Sequence, residues 1–367
     1  MMSTAFLKQQ IKTALRVGLK TTAPLFRQIS TMDSSTARAN LQKICPIPSG
    51  TVDTSNTLLT PTVDLQIIIP AYNVELYLED CLNSVLSQKT TYSYHIILVD
   101  DGSKDNTPAI CDTFANHPNI TVIHMANGGP SRARNTALQR IFGKYLMFLD
   151  SDDILLDGTI QTMLDTAYRY DCDLVEGGMC SLCDGELTNL HQFSSTEKVH
   201  DPYSVLHGYP WGKVFRADLF ENLSFPEGYL FEDSIISFLV FPRIANAYVI
   251  PLPCYGYRLN QAGIVRSTKG KPRSVETYWI TEYLMDRYNS FNYPLTEAYF
   301  RSILRQFRIN QRRVSNLSLE IQESIFVLSC DLLEEHFPKT MDDPSQRQLL
   351  NALRSRNFGS FRMYCKF

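Results

Sequence analysis

Near the middle of the chain, an apolar run leads directly into three carboxylates. Residues 146–149 are Leu, Met, Phe and Leu, and Asp150, Ser151, Asp152 and Asp153 follow them. Such a run is typical of a buried strand, and open α/β sheets bind ligands at the carboxyl ends of their strands. Carboxylate oxygens gathered there predict a site for a divalent cation. The alternative is a helix start capped by Asp150 or Ser151.

Strand and helix patterns alternate around this segment, which is typical of an α/β fold with a mostly parallel sheet. The pattern predicts strands over residues 65–69, 95–99 and 120–123, and helices over residues 76–86, 109–114 and 131–142. A second acidic pair, Asp100 and Asp101, follows the second strand. Two strands that end in acids within one such unit indicate a shared pocket.

The motifs at these strand ends, and two motifs further along the chain, resemble those of family 2 glycosyltransferases of the GT-A fold. They are IIPAYN at 68–73, VDDGS at 99–103, NGG at 127–129, ARN at 133–135, DSDD at 150–153, WGKVF at 211–215 and FED at 231–233. The resemblance covers roughly residues 64–268. It implies a Rossmann-like, mostly parallel central sheet flanked by helices, and sugar transfer from a nucleotide-diphosphate donor.

On the donor side, the resemblance implies seven contacts: Pro70, Tyr72, Asn73, Asp101, Arg134, Asp150 and Arg258. A carboxylate only accepts hydrogen bonds, which suits Asp101 to the N–H of uracil. A guanidinium matches phosphate oxygens, which suits Arg258 to the diphosphate. These roles have purely structural alternatives. One is that the Tyr72 ring packs on the sheet edge, and the other is that the arginines form ion pairs within the protein.

The DxD signature of the family matches Asp150 and Asp152, and it implies Mn²⁺ or Mg²⁺ as the cofactor. The sequence does not separate Asp152 from Asp153, so both are predicted metal ligands. A cation there would assist departure of the nucleoside diphosphate.

The resemblance assigns the catalytic base to Asp233, which would take the proton of the acceptor hydroxyl with inversion at the anomeric carbon. Glu232 and Trp211 are predicted acceptor contacts, with the indole as a stacking platform. The alternatives are that both acids favour a helix N-terminus and that Trp211 belongs to the core.

Composition excludes other classes. The net charge of -3 argues against a general nucleic-acid binder, and no apolar run reaches the roughly 18–20 residues that a membrane span needs. Cys180 and Cys183 form a lone CxxC pair, which is weak evidence for zinc. Nine cysteines without disulfide-like spacing favour a reducing compartment, so we expect a cytoplasmic protein.

The sequence predicts four regions: a basic extension over residues 1–45, a linker over 46–63, the catalytic domain over 64–271 and a helical region over 272–367. In the extension, residues 5–20 carry adjacent cationic and apolar stripes. This pattern suits a helix on the anionic inner face of a membrane. A helix packed on the body, a frayed tail and a transit peptide are alternatives.

The helical region is predicted to hold helices over residues 275–288, 295–314, 318–335 and 346–353. Together these features predict an inverting glycosyltransferase that uses a UDP-sugar. The expected acceptor is a glycan or lipid-linked molecule in the synthesis of exopolysaccharide, capsule or cell wall, as in bacterial relatives. Alternatives are transfer to protein or to a teichoic-acid-like polymer, and a catalytically silent protein that binds nucleotide sugars.

Overall fold

The computed structural model describes residues 28–49, 58–183, 185–259, 268 and 270–366. The chain divides into two compact units: Ser49–Gly263, which we call the sheet unit, and Met1–Pro48 with Ile264–Phe367, which we call the helical unit. The described part of the predicted extension therefore groups with the predicted helical region. The predicted membrane helix over residues 5–20 lies outside the described residues.

Along the chain, helix α1 (Ser34–Ile44) of the helical unit precedes the sheet unit. The strands of the sheet unit are β1 (Leu58–Ala71), β2 (Tyr94–Asp100), β3 (Ile120–His124), β4 (Arg140–Phe148), β5 (Ile154–Leu155), β6 (Leu174–Cys183), β7 (Glu186–His191), β8 (Glu197–Val199), β9 (Lys213–Arg216) and β10 (Ala247–Arg258). Its α-helices are α2 (Leu78–Leu86), α3 (Thr107–Phe114), α4 (Pro130–Leu138), α5 (Thr159–Arg169) and α6 (Pro202–Val205).

One mixed sheet joins these strands in the order β3-β2-β1-β4-β9-β6-β10-β5, with β7 beside β6 and β8 beside β10. Strands β3, β2, β1 and β4 run parallel, whereas β9 is antiparallel to both β4 and β6. In the register of β1, Ile68 lies opposite both Ile97 and Phe148. The carboxyl ends of β1, β2 and β4 therefore meet at one edge of the sheet, as the acidic strand ends predicted.

Burial explains why the parallel strands are apolar runs. Ile67, Ile68 and Ile69 are fully buried, and so are the apolar residues at the end of β4. Strands covered by helices on both faces lose the alternation of apolar and polar residues. Helix α2 contributes a buried stripe at helical spacing, Leu78, Cys81, Leu82 and Val85.

Two predicted boundaries differ from the structure. The predicted helix over residues 131–142 ends at Leu138, and β4 already begins at Arg140. The amino-terminal half of β4 is held by β1, since Arg140 and Ile141 lie opposite Leu58 and Leu59. Strand β1 consequently extends into the predicted linker over residues 46–63.

The helical unit contains α1 and the helices α7 (Glu276–Ser290), α8 (Glu297–Arg313), α9 (Leu319–His336), α10 (Arg347–Arg354) and α11 (Phe358–Lys366). Helix α1 begins after Asp33, whose side chain accepts a hydrogen bond from the Thr36 N–H. The structure matches the four predicted helices to within a few residues, and α11 is additional. None of the described helices is long and apolar enough to cross a membrane.

Candidate active site

The acids after β4 lie in a turn. The Asp153 N–H donates to the Asp150 carbonyl at 3.0 Å, and the chain then enters the short strand β5. No helix begins at Asp150, so the alternative of a capped helix is wrong. Asp150 and Asp152 are partly exposed at this turn, which places both carboxylates at the sheet edge.

Asp153 differs from its neighbours because it is only 1% exposed. Its oxygens accept hydrogen bonds from the Tyr255 hydroxyl at 2.6 Å and from the Arg258 N–H at 2.7 Å. Burial, followed by the negative charges of Asp150 and Asp152, raises the pKa of Asp153 to about 8. Both oxygens of Asp153 are therefore engaged by groups of the protein, whereas Asp152 is partly exposed, and the role of either acid as a cation ligand stays a prediction.

The side chain of Arg258 packs against the same turn. Its Nε donates to the Asp152 carbonyl at 2.7 Å, and its Nη2 lies 3.3 Å from Asp80. The guanidinium also lies over the Tyr77 ring at 4.9 Å. These contacts agree with the alternative that Arg258 forms an ion pair within the protein. Binding of the donor diphosphate by Arg258 stays a prediction.

Asp101 is 2% exposed and holds a turn of the chain itself. Its two carboxylate oxygens accept from the N–H groups of Gly128 and Gly129, both at 2.7 Å. Gly129 has φ +86°, a conformation that favours glycine, and helix α4 begins directly after it. Asp101 therefore holds the backbone of this turn, and its contact with uracil stays a prediction.

The predicted nucleobase residues lie beside this turn at the end of β1. The Asp101 N–H donates to the Ala71 carbonyl at 2.9 Å, and the Asn73 side-chain oxygen accepts from the Lys104 N–H at 2.8 Å. Tyr72 is 45% exposed, so its ring is accessible to a ligand rather than packed in the core. Pro70 pairs in register with Val99 at the same edge.

Arg134 joins two acids that are distant in sequence. Its Nη2 lies 2.9 Å from Asp150, and its Nη1 lies 2.8 Å from Glu232. The guanidinium is buried and also lies over the Phe225 ring at 5.3 Å. The contact brings the turn that contains Glu232 and the predicted base Asp233 to the acids after β4.

That turn is short and irregular. Glu232–Ser234 is a single 3-10 turn, and a π-helical segment, Ile236–Val240, follows it. Phe231 precedes it with φ +65°, a left-handed conformation that is uncommon for a bulky residue. Asp233 is partly exposed. π-Helical segments occur frequently at functional sites.

Trp211 lies next to the end of β4 through a bridge with Phe148. Its ring stacks on Tyr209 at 3.7 Å and on Tyr255 at 4.5 Å. A third ring, that of Tyr257, stacks on the indole at 5.5 Å. Trp211 is therefore part of an aromatic stack and is still partly exposed, and its role as a platform for a sugar stays a prediction.

Sequence reasoning missed a buried charged pair behind Trp211. Lys213 and Glu176 are 0% and 1% exposed, and the Lys213 ammonium lies 3.4 Å from the carboxylate. Burial lowers the pKa of Lys213, and the charge of Glu176 opposes that shift. His207 Nδ1 lies 2.5 Å from the same carboxylate. The signal in the sequence that could have indicated this pair is Lys213, which directly follows Trp211 and Gly212.

Tyr255 was also missed, although the motif that contains it pointed to Arg258. Its hydroxyl donates to the Asp153 carboxylate and accepts from the Asp150 N–H at 3.3 Å. Tyr255 therefore links Asp150 and Asp153. In the described part of the chain, no group of three or more His, Cys, Asp or Glu side chains is arranged to hold a metal. A cation site at Asp150 and Asp152 therefore stays a prediction.

Comparison with solved structures defines the fold class. The chain superposes on residues 1–349 of S. aureus TarS in complex with UDP-GlcNAc with a TM-score of 0.63 at 20% identity. The match covers 83% of this chain and 90% of that one. The sheet unit therefore has the GT-A fold, as the sequence motifs implied.

Sequence comparison defines the family. Residues 66–224 match the model of glycosyl transferase family 2. Glycosyltransferase GlyA of Streptococcus pneumoniae is 32% identical over 55% of this chain and 31% of its own length. The minor teichoic acid biosynthesis protein GgaA of Bacillus subtilis is 30% identical over 66% of this chain and 54% of its own length. These matches identify a glycosyl transferase family 2 domain within the chain, and the chain spans about a third and about half of these two relatives.

Proposed function

We propose that the chain is a metal-dependent, inverting glycosyltransferase that transfers a sugar from a nucleotide-diphosphate donor to a hydroxyl group. The observation that carries this proposal is the ion-pair chain Asp150, Arg134, Glu232. It joins the acids at the sheet edge to the turn that contains Asp233. The proposed donor-side acids, Asp150 and Asp152, and the proposed base, Asp233, therefore belong to one site.

In the proposed reaction, the acceptor oxygen attacks the anomeric carbon while the bond from that carbon to the diphosphate oxygen breaks. Asp233 takes the acceptor proton, and general-base assistance of this kind contributes about 10²–10⁴-fold. One displacement inverts the anomeric configuration. A divalent cation held by Asp150 and Asp152 would offset the charge on the departing diphosphate.

The proposed donor is a UDP-sugar, supported by the UDP-GlcNAc complex of TarS, which shares the fold. The exposed ring of Tyr72 at the end of β1 gives a surface on which a nucleobase can stack. For the acceptor, the relation to GlyA and GgaA supports a growing polysaccharide or teichoic-acid polymer. Such an acceptor would be reached from the cytoplasmic side of the membrane.

The test is release of UDP by the full chain from UDP-sugars with Mn²⁺ or Mg²⁺, using lipid-linked glycan, teichoic-acid polymer or protein as the acceptor. We expect turnover with the polymer or lipid-linked acceptor and none with protein. Asp233→Asn should lower turnover by about 10²–10⁴-fold while binding of UDP is kept.

Binding is tested separately by thermal denaturation, because a ligand selective for the native state raises its stability. If none of the UDP- and GDP-sugars raises the melting temperature with either cation, the proposal is wrong. Asp157→Asn is the control for Asp233→Asn, since Asp157 is an exposed acid between β5 and α5.

A further inference from the structure

Helix α4 fixes the segment that leads to the Glu232–Ser234 turn through residues on one of its faces. The Ser131 hydroxyl donates to the Pro226 carbonyl at 2.7 Å. The Asn135 amide donates to the Phe225 carbonyl at 2.9 Å and accepts from the N–H of the same residue at 2.7 Å. Residues at i, i+3 and i+4 share a helix face, so Arg134 points in the same direction.

The same helix is fixed at its start by the donor side of the site. It begins after Gly129, whose N–H is held by the Asp101 carboxylate at 2.7 Å. Arg134 then pairs with Asp150 and with Glu232. One helix of nine residues therefore contacts the turn next to β2, the acids after β4 and the segment before Asp233.

Arg134 is held tightly by these contacts. It is 5% exposed, and its two terminal nitrogens each lie within 3.0 Å of a different carboxylate. Removing one member of a buried ion pair leaves an uncompensated charge, which makes such contacts costly to break. A donor diphosphate that approached this guanidinium would have to share it with Asp150 and Glu232.

The turn that Arg134 holds needs an external contact. Phe231 occupies the left-handed region with φ +65°, and strained backbone of this kind persists only where the surroundings fix it. The contact of Glu232 with Arg134 directly follows the strained residue. Arg134 is therefore placed to fix the orientation of the adjacent Asp233.

We propose that Arg134 is a positioning residue for the catalytic base and not a ligand of the donor. It holds the Glu232–Ser234 turn at a position set by Asp150. This inference rests on the proposed function for the role of Asp233, and it replaces the donor contact that the sequence resemblance implied for Arg134.

The test compares Arg134→Met, Arg134→Lys and Glu232→Gln. A misplacement of a reacting group by about 1 Å costs on the order of 10²-fold in rate, so we expect Arg134→Met to lower kcat by about that factor. The KM for the donor and the affinity for UDP should change less than about 3-fold. Arg134→Lys keeps the charge but not the fork that reaches both acids, so it should restore part of kcat.

Amide hydrogen exchange gives a readout that does not depend on turnover. In Arg134→Met, peptides over residues 229–236 should exchange faster, whereas peptides from β1 should not change. Glu232→Gln keeps an acceptor for Arg134 and should show a smaller effect. Arg132→Met is the matched control, because Arg132 is an exposed cation on the same helix.

If Arg134→Met weakens UDP binding by as much as it lowers kcat/KM, and exchange over residues 229–236 does not change, Arg134 is a donor ligand and the inference is wrong. If the wild-type chain shows no transfer to any acceptor, the proposed function fails, while the exchange measurement still decides whether Arg134 holds the turn.

Discussion

The two units distribute buried charge differently: it is clustered in the sheet unit, whereas in the helical unit Glu276 and Asp343 are buried separately, each beside an arginine. In the sheet unit, buried charges gather at the strand ends and behind them: Asp101, Arg134, Asp153, Glu176 and Lys213. In the helical unit, the polar cluster between α7, α8 and α9 consists of hydroxyl and amide groups: Thr277, Thr281, Asn310, Gln311 and Gln322. Burial of charge is costly unless every charge is paired, whereas neutral groups need only hydrogen bonds.

Hydrogen bonds join the neutral groups of this cluster. The Asn310 side chain hydrogen-bonds to the Thr277 and Thr281 hydroxyls at 2.7 and 3.0 Å. The Gln322 amide donates to the Leu317 carbonyl at 2.8 Å. Such groups align helices at low cost. Buried charges therefore cluster in the sheet unit near the predicted site, and neutral groups join α7, α8 and α9.

The largest expected effect separates two neighbouring acids of the sheet unit. Asp152→Asn should lower transfer by about 10³-fold or more, because the loss of a cation ligand removes several kcal/mol of charge stabilisation. Asp153→Asn should cost much less, because that carboxyl is already buried and hydrogen-bonded. Steady-state rates at saturating Mn²⁺ measure both. Equal losses would mean that Asp153 also binds the cation.

The second prediction concerns the buried pair behind Trp211. Lys213→Met leaves the buried Glu176 carboxylate with His207 as its remaining partner, so the free energy of unfolding should fall by up to about 3–5 kcal/mol. The double variant Lys213→Met with Glu176→Leu should recover most of that loss. Urea denaturation measures both. A loss below about 1 kcal/mol in the single variant would mean that the pair is not buried as described.

A smaller effect is expected in the helical unit. Asn310→Leu removes the amide that joins Thr277 and Thr281, and it should lower the free energy of unfolding by about 1–3 kcal/mol. Transfer per folded molecule should be unchanged. Asn351→Ala, an exposed change on α10, is the control. If fully folded Asn310→Leu lost transfer activity, this neutral cluster would serve the reaction and not only packing.

The smallest effect is expected at the surface of the same unit. Lys339 lies 3.4 Å from Glu334, and both side chains are more than half exposed. Lys339→Ala should change the free energy of unfolding by no more than about 1 kcal/mol, because solvent screens the pair. Denaturation in low and in high salt checks this. A larger change would show that exposed charges also carry stability here.

Sequence patterns predicted what depends on local composition. The apolar runs gave β1, β2 and β4, and helical spacing gave α2 and four helices of the helical unit. The patterns failed where distant residues decide. Residues 140–142 continue a helical pattern, but pairing with β1 makes them a strand. Likewise, nothing near Arg134 in the sequence announces Glu232, which is 98 residues away.

The same distinction applies to the site. Motif spacing placed Asp101, Asp150 and Asp152 at one edge because parallel strands end together there. It did not separate Asp152 from Asp153, because their difference arises from Tyr255 and the Arg258 N–H, which come from another strand. The aromatic stack around Trp211 has the same origin, since Tyr255 and Tyr257 both belong to β10.

The hydrogen bonds of Asp101 have a consequence for the reading of related sequences. Two successive N–H groups, of Gly128 and Gly129, each need their own acceptor oxygen. Asparagine at this position would turn an NH₂ group toward one of them, so the loop favours an acid here. The aspartate therefore serves the backbone of this loop in its own right, and its presence alone does not specify a nucleobase.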